Sequence, residues 1–70
     1  MFVKLTVLKT IVKDEVTHSP NGIPVFINAD HIIRFCKAPR DTIVYLSDGV
    51  VLIVKEDNQD IANAISFLVI

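Results

Sequence analysis

The sequence predicts a small α+β protein, mainly β, in which an antiparallel meander of four to five strands precedes a C-terminal helix. Three observations predict this class. Apolar and polar residues alternate near the N-terminus, Asp48-Gly49 separates two strongly β-forming segments, and apolar residues recur at helical spacing near the C-terminus. The 70 residues are enough for one domain, so residues 1–70 are assigned to a single domain.

The first strand is predicted at Phe2–Val12, where apolar and polar side chains alternate with a break at Lys9. Period-2 spacing places four apolar side chains on one face of it, namely Val3, Leu5, Val7 and Ile11. Residues 19–22, Ser-Pro-Asn-Gly, predict the next chain reversal, because Pro20 presets φ and Gly22 tolerates positive φ. Residues 23–27 then form an antiparallel second strand. Pro24 lacks an amide hydrogen, which places that strand at a sheet edge or Pro24 at its start.

Residues 28–30 predict a short corner, in which an Asn or Asp side chain bonds a nearby backbone amide. Residues 31–37 follow as a strand with Ile33 and Phe35 on one face, and residues 38–41 form a turn. Thr42–Leu46 and residues 50–54 are the two strands of the Asp48-Gly49 hairpin.

The strand at residues 50–54 is apolar on both faces, so we expect it to be central in the sheet or to lie between the helix and another subunit. Asp57 or Asn58 is expected to cap that helix. Its apolar face follows from 3–4 residue spacing and comprises Ile61, Ala62, Ile65 and Leu68.

The size and composition of the chain favour self-association. Hydrophobic residues make up 51% of a chain whose own core is small, and a lone cysteine, Cys36, excludes an intrachain disulfide. We therefore expect a homo-oligomer and a protein partner, in a cytoplasmic setting, with no membrane span. The candidate self-association residues are Val50, Leu52, Val54, Phe67 and Val69.

The charge balance disfavours nucleic acid as a partner. The net charge is −1, whereas nucleic-acid binders usually carry a basic excess. Three basic residues cluster around one strand end and its turn and are the candidate contacts for this hypothesis: Arg34, Lys37 and Arg40.

Reactive side chains are few. His18, His31 and Cys36 have neither the number nor the spacing of a zinc site, and no nucleophile has a visible base. Neither glycine belongs to a phosphate-binding signature. We therefore expect no enzyme activity, no metal and no cofactor.

An ordered string of residues also carries a family resemblance. It comprises Val3-Lys4-Leu5-Thr6, Asn21-Gly22, Ile27-Asn28, Ile32, Asp41-Thr42, Leu46, Asp48-Gly49, Val54-Lys55-Glu56, Asp60-Ile61 and Ile65. This string resembles the FlbD family of small flagellar proteins, which includes swarming motility protein D. In that family few residues separate the L-T strand from N-G, whereas residues 7–20 intervene here. The resemblance implies an accessory or regulatory role in motility, with no catalytic residues to carry over.

The leading hypothesis is a non-catalytic, self-associating protein-interaction module. One alternative is a nucleic-acid-binding regulator, since the hairpin and short helix also look like the end of LytTR-type DNA-binding domains. A second alternative is a small enzyme or metal-binding protein centred on His31 and Cys36.

Overall fold

The computed structural model describes residues 1–66, which form one five-stranded antiparallel sheet and one α-helix. The order of the strands across the sheet is β2-β1-β5-β4-β3. The elements are β1 Phe2–Val12, β2 Glu15–Asn28, a 3₁₀ helix Ala29–His31, β3 Ile32–Lys37, β4 Thr42–Leu46, β5 Val51–Val54 and α1 Asn58–Ser66. The predicted class, a mainly β antiparallel sheet with a C-terminal helix, is confirmed. The strands do not follow one another in sequence order, because β1 pairs with β5, and β2 and β3 lie at opposite edges.

The first chain reversal occurs at Lys13 and Asp14, because Val12 pairs directly with Glu15. Lys13 adopts φ +54°, as a two-residue hairpin turn requires. The reversal predicted at residues 19–22 is therefore wrong. Those residues belong to β2 and bulge out opposite the single residue Leu8. The expected positive φ of the glycine does occur there, because a bulge uses the same backbone freedom as a turn.

This bulge switches the side of the sheet to which β1 points its residues. Val7 pairs with Ile23, and the next aligned pair is Lys9 with His18. Because one residue of β1 is skipped, alternation restarts in the opposite phase. Ile11 therefore points away from the face that holds Val7, and the prediction that both share a face is wrong.

One face of the sheet, the inner face, forms the core together with α1. Its buried apolar side chains are Val3, Leu5, Val7, Val44, Leu52, Val54 and, from the helix, Ile61. The first helical hydrogen bond runs from Ile61 N to Asp57 O (3.2 Å), so Asp57 occupies the predicted capping position. Leu68 lies outside the described residues.

The sheet is strongly curled around this core. β2 and β3 lie at opposite edges, yet only the three-residue 3₁₀ helix joins them. Such a helix advances about 6 Å, whereas four strand-to-strand gaps in a flat sheet amount to about 19 Å. The sheet must therefore bend until its edges approach each other. Asn28 caps the connection as predicted, accepting a hydrogen bond from Asp30 N (3.1 Å).

The two edge strands of the sheet are β3 and β2. In β3 the register shifts between Ile32 and Arg34, so Ile33 is 66% exposed while Ile32 and Phe35 pack on the core. The prediction that Ile33 and Phe35 share a face is thus wrong. In β2, Pro24 lies on an edge strand, as predicted from its missing amide hydrogen.

The Asp48-Gly49 hairpin has the predicted form. Gly49 adopts φ +87° and donates from its amide to Leu46 O (3.1 Å), while Val50 N donates to Asp48 Oδ1 (3.1 Å). The second strand begins at Val51, one residue later than expected.

Candidate interaction surfaces

Several residues of the family-like string meet around Thr6. The amide of Thr6 donates to Glu56 Oε1 (2.7 Å), and its hydroxyl donates to Glu56 Oε2 (2.8 Å). Lys55 N donates to Thr6 O (2.9 Å), which continues the pairing of β1 beyond the end of β5. Two segments 50 residues apart in the sequence are held together at this point.

Two more residues of the string join the same cluster. The hydroxyl of Thr42, which is buried, donates to Glu56 O (2.7 Å). Gly22 lies so close to Thr6 that a Cβ there would collide with Thr6 Cγ2. Residues of the family-like string therefore build a structural brace, and we refer to Thr6, Gly22, Thr42 and Glu56 as the Thr6 brace.

The brace also determines the ionisation of Glu56. Partial burial by itself raises the pKa of this carboxyl, but the hydrogen bonds from the Thr6 amide and hydroxyl outweigh that effect. The pKa of Glu56 is consequently lowered from its ordinary value. The carboxylate is held in its charged, accepting form as a structural group.

The face of the sheet opposite the core, the outer face, is covered by no other element of residues 1–66. Two rows of paired residues cross it. One row is Val16, Ile11, Val51, Tyr45 and Arg34, and the other is His18, Lys9, Ile53, Ile43 and Cys36. The five half-buried side chains at its centre, which we call the central strip, are Ile11, Ile43, Tyr45, Val51 and Ile53.

The charged strand residues of the outer face are all basic, and the one carboxylate bonded on this side, that of Glu56, accepts both of its hydrogen bonds from Thr6. Lys4, Lys9 and Arg34 are exposed there, and the guanidinium of Arg34 lies 4.3 Å from the centroid of the Tyr45 ring. Among the five strands the sole carboxylate is Glu15, which alternation places on the inner side beyond the core. The other acidic residues of the described chain occupy turns and the helix region. A chain with a net charge of −1 thus presents an outer face on which three cations outnumber the single carboxylate of Glu56.

A second surface lies where the curled sheet brings its edges together, and we call it the seam groove. Its volume is about 640 Å³, and it is lined by Phe2, Phe26, Ile27, Asn28, His31, Leu46, Ser47 and Asp48. Phe2 and Phe26 are 64% and 66% exposed. On the polar side, His31 Nδ1 and Ser47 Oγ are 3.1 Å apart. Exposed aromatic walls with a polar rim are typical of a binding surface.

The three basic residues predicted as nucleic-acid contacts do not form one patch. Arg34 lies on the outer face, whereas Lys37 has the opposite phase on β3 and pairs with Thr42. Arg40 is exposed in the β3–β4 turn. Of the three, the structure places Arg34 alone on the cationic outer face.

The residues predicted for self-association mostly belong to the core. Leu52 and Val54 are buried on the inner face beneath α1, and Val50 packs against the same cluster. The free side of β5 is formed by Val51 and Ile53, which the two-sided apolar pattern contained but did not distinguish. Phe67 and Val69 lie outside the described residues.

The reactive side chains lie apart from one another. His18 borders the bulge in β2, His31 ends the 3₁₀ helix, and Cys36 is exposed on β3. Within residues 1–66 no three His, Cys, Asp or Glu side chains are grouped to hold a metal ion. Over the same residues no helix is long and apolar enough to cross a membrane.

Comparison with known proteins gives one match. The family model described as FlbD, flagellar and swarming motility proteins, matches residues 15–67, which is more than half of the chain. Searches of curated proteins and of solved structures found no match. The match begins in β2, after the Lys13-Asp14 turn, and covers the rest of the sheet and α1.

Proposed function

Because the chain belongs to the FlbD family of flagellar and swarming motility proteins, we propose that it is a non-catalytic accessory protein that works by binding other protein chains. The observation that carries this proposal is the central strip, five apolar side chains on a sheet face that no other element of residues 1–66 covers. A contiguous apolar surface with a polar surround is typical of an interaction site.

The Thr6 brace supports a scaffold role for the residues that the family-like string contains. The side chains in this brace form hydrogen bonds with one another or with the backbone, namely those of Thr6, Thr42 and Glu56. These groups fix the end of β5 against β1 and so hold the outer face in shape. These residues of the string therefore have a structural role, and the side chains exposed on the outer face supply the binding contacts.

We place self-association at the seam groove. Phe2 and Phe26 are too exposed to contribute fully to the fold of one copy. The surround of the groove carries both signs of charge, because Lys4 pairs with Phe26 in the register and Asp48 lines the groove. A two-fold contact that sets Lys4 of each copy against Asp48 of the other would make this surface complementary to itself.

The test of the proposed function is a motility assay with the chromosomal copy replaced by variants. Ile53→Asp introduces a charge at the centre of the strip, and we expect loss of swarming with the fold retained by circular dichroism. Val12→Asp is the matched control, since Val12 is 46% exposed near the tip of the first hairpin and outside the strip. Normal swarming of Ile53→Asp would contradict the proposal.

The self-association is tested separately by sedimentation. The wild-type chain is expected to sediment as a dimer and Phe26→Ser as a monomer, while Ile53→Asp remains a dimer. A wild-type chain that stays monomeric at high concentration would overturn the seam assignment without affecting the role of the outer face.

A further inference from the structure

We propose that the outer face binds an acidic amphipathic helix of a partner protein. This inference rests on the proposed function, since it assumes that the face binds protein, and it adds the chemistry of the partner. It follows from the segregation of charge on the sheet, the shape of the two rows and the composition of the central strip.

The charges specify the sign of the partner. Lys4, Lys9 and Arg34 are exposed on the outer face, and the one carboxylate on that side, that of Glu56, is already bonded to Thr6. Charge complementarity therefore favours a surface rich in Asp and Glu. A second copy bound by the same face would set Lys9 and Arg34 against their own equivalents, with only the Thr6-bonded carboxylate of Glu56 on that side.

The rows specify the form of the partner. Because the sheet curls away from a ligand on its outer face, a straight helix touches only the middle of the rows, where β1, β5 and β4 span two strand-to-strand gaps, about 10 Å. That distance corresponds to about six residues of α-helix, or somewhat less than two turns. A helix laid along the rows places one apolar stripe on Ile11, Val51 and Ile53, and its polar flanks then approach Lys9 on one side and Arg34 at the end of the strip.

The central strip favours a helix over nucleic acid. Four of its five side chains are aliphatic, and they offer no stacking surface to a base. Tyr45 is the one aromatic member, and the guanidinium of Arg34 already covers its ring at 4.3 Å. Apolar contact in the middle with cations around it fits an amphipathic protein segment better than a phosphate backbone.

The experiment uses the full chain and three synthetic helical peptides of about 14 residues that share one Leu stripe. Their flanking residues are Glu, Gln or Lys. Fluorescence anisotropy should show the Glu peptide binding about tenfold more tightly than the Gln peptide at low salt, since two or three exposed ion pairs supply that factor. The preference should shrink at physiological ionic strength, and the Lys peptide should bind most weakly.

A charge reversal on the face is the sharper arm. In the double variant Lys9→Glu/Arg34→Glu the order should invert, with the Lys peptide binding best. The matched control, Lys13→Glu/Arg40→Glu, changes the net charge equally at two turns away from the rows and should keep the wild-type order.

Three results would overturn the inference. Equal affinity for the Glu and Gln peptides would remove the charge requirement while leaving the proposed function intact. Binding of none of the peptides would exclude a helical partner, and the swarming assay of Ile53→Asp would then decide the proposed function alone. Tighter binding of duplex or single-stranded DNA than of the Glu peptide, with the same loss in Lys9→Glu/Arg34→Glu, would reassign the face to nucleic acid.

Discussion

The two sides of β5 differ in burial although they are alike in composition. Leu52 and Val54 are 5% and 0% exposed, whereas Val51 and Ile53 on the other side are only half-buried. Nothing in four consecutive aliphatic residues distinguishes them; the position of α1 does. An apolar face is thus a core face only where another element covers it, and the face left over stays partly exposed.

The largest expected effect tests this contrast directly. Leu5→Ala removes a fully buried side chain from the inner face and should lower the free energy of unfolding by about 2–5 kcal/mol. Ile53→Ala removes as many carbons from the outer face and should cost about 1 kcal/mol or less, because the side chain is already partly in water. Urea denaturation of both variants measures the difference. Equal losses would mean that the outer face is packed like a core.

Gly22 should be an exception to the rule that substitutions on the outer side cost less than those in the core. It lies against the outer-side residue Thr6 and yet leaves no room for a side chain. Gly22→Ala combines positive φ with a collision against Thr6 Cγ2 and should cost about 2–3 kcal/mol. Gly49→Ala is the control, since it has a similar φ of +87° but open space around the added methyl. It should cost about 1 kcal/mol. Similar losses in thermal denaturation would show that strain alone matters at Gly22.

Glu56 extends the comparison to a polar group whose stabilising effect depends on pH. Because its pKa is lowered in the folded chain, its stabilisation is present above the unfolded pKa and is lost as the pH falls through the folded pKa. Glu56→Gln should therefore cost about 1 kcal/mol at neutral pH and progressively less below about pH 4.5. Urea denaturation across this pH range is the measurement. Thr6→Ser keeps both donors and should retain the pH dependence, whereas a loss in Glu56→Gln that is independent of pH would contradict the role of the brace.

The smallest effect is expected at the tip of the first hairpin, where neither face is covered. Lys13 adopts φ +54°, which costs a non-glycine residue free energy that glycine does not pay. Lys13→Gly should raise the free energy of unfolding by about 0.5–1 kcal/mol. Asp14→Gly, one position on, should not stabilise the chain, and a gain there as large as that of Lys13→Gly would contradict the assignment of strain to Lys13.

The prediction of the fold from sequence succeeded where local chemistry determines the backbone. Asp48-Gly49, the Asn28 cap and the spacing of Val3, Leu5 and Val7 each specify their conformation through a few neighbouring residues. It failed at residues 19–22, because Ser-Pro-Asn-Gly suits a bulge as well as a reversal. The choice between the two depends on pairing with β1, which local chemistry does not contain.

The candidate site was predictable only in part, for the same reason. The two-sided apolar pattern of β5 indicated that the helix would cover only one of its sides, and Val51 and Ile53 are the residues left uncovered by other elements of residues 1–66. Which side was free depended on the helix, and Ile11 joined that side only because the bulge at Leu8 reversed the phase of β1. The distribution of charge could not be predicted either. The net charge of a sequence does not say which face of the sheet each charged residue occupies, because that depends on the fold.

The pairing of β1 with β5 has a further consequence, for the order in which the chain folds. The β1–β2 hairpin and the β3–β4–β5 meander each consist of sequence neighbours, whereas β1 and β5 join residues 7–11 to residues 51–54. Closing that long loop has the largest entropic cost. We therefore expect the rate-limiting step to be the docking of the β1–β2 hairpin onto the β3–β4–β5 meander along β1 and β5. Substitutions in this ladder should then slow folding, while those at the β3 edge should mainly accelerate unfolding.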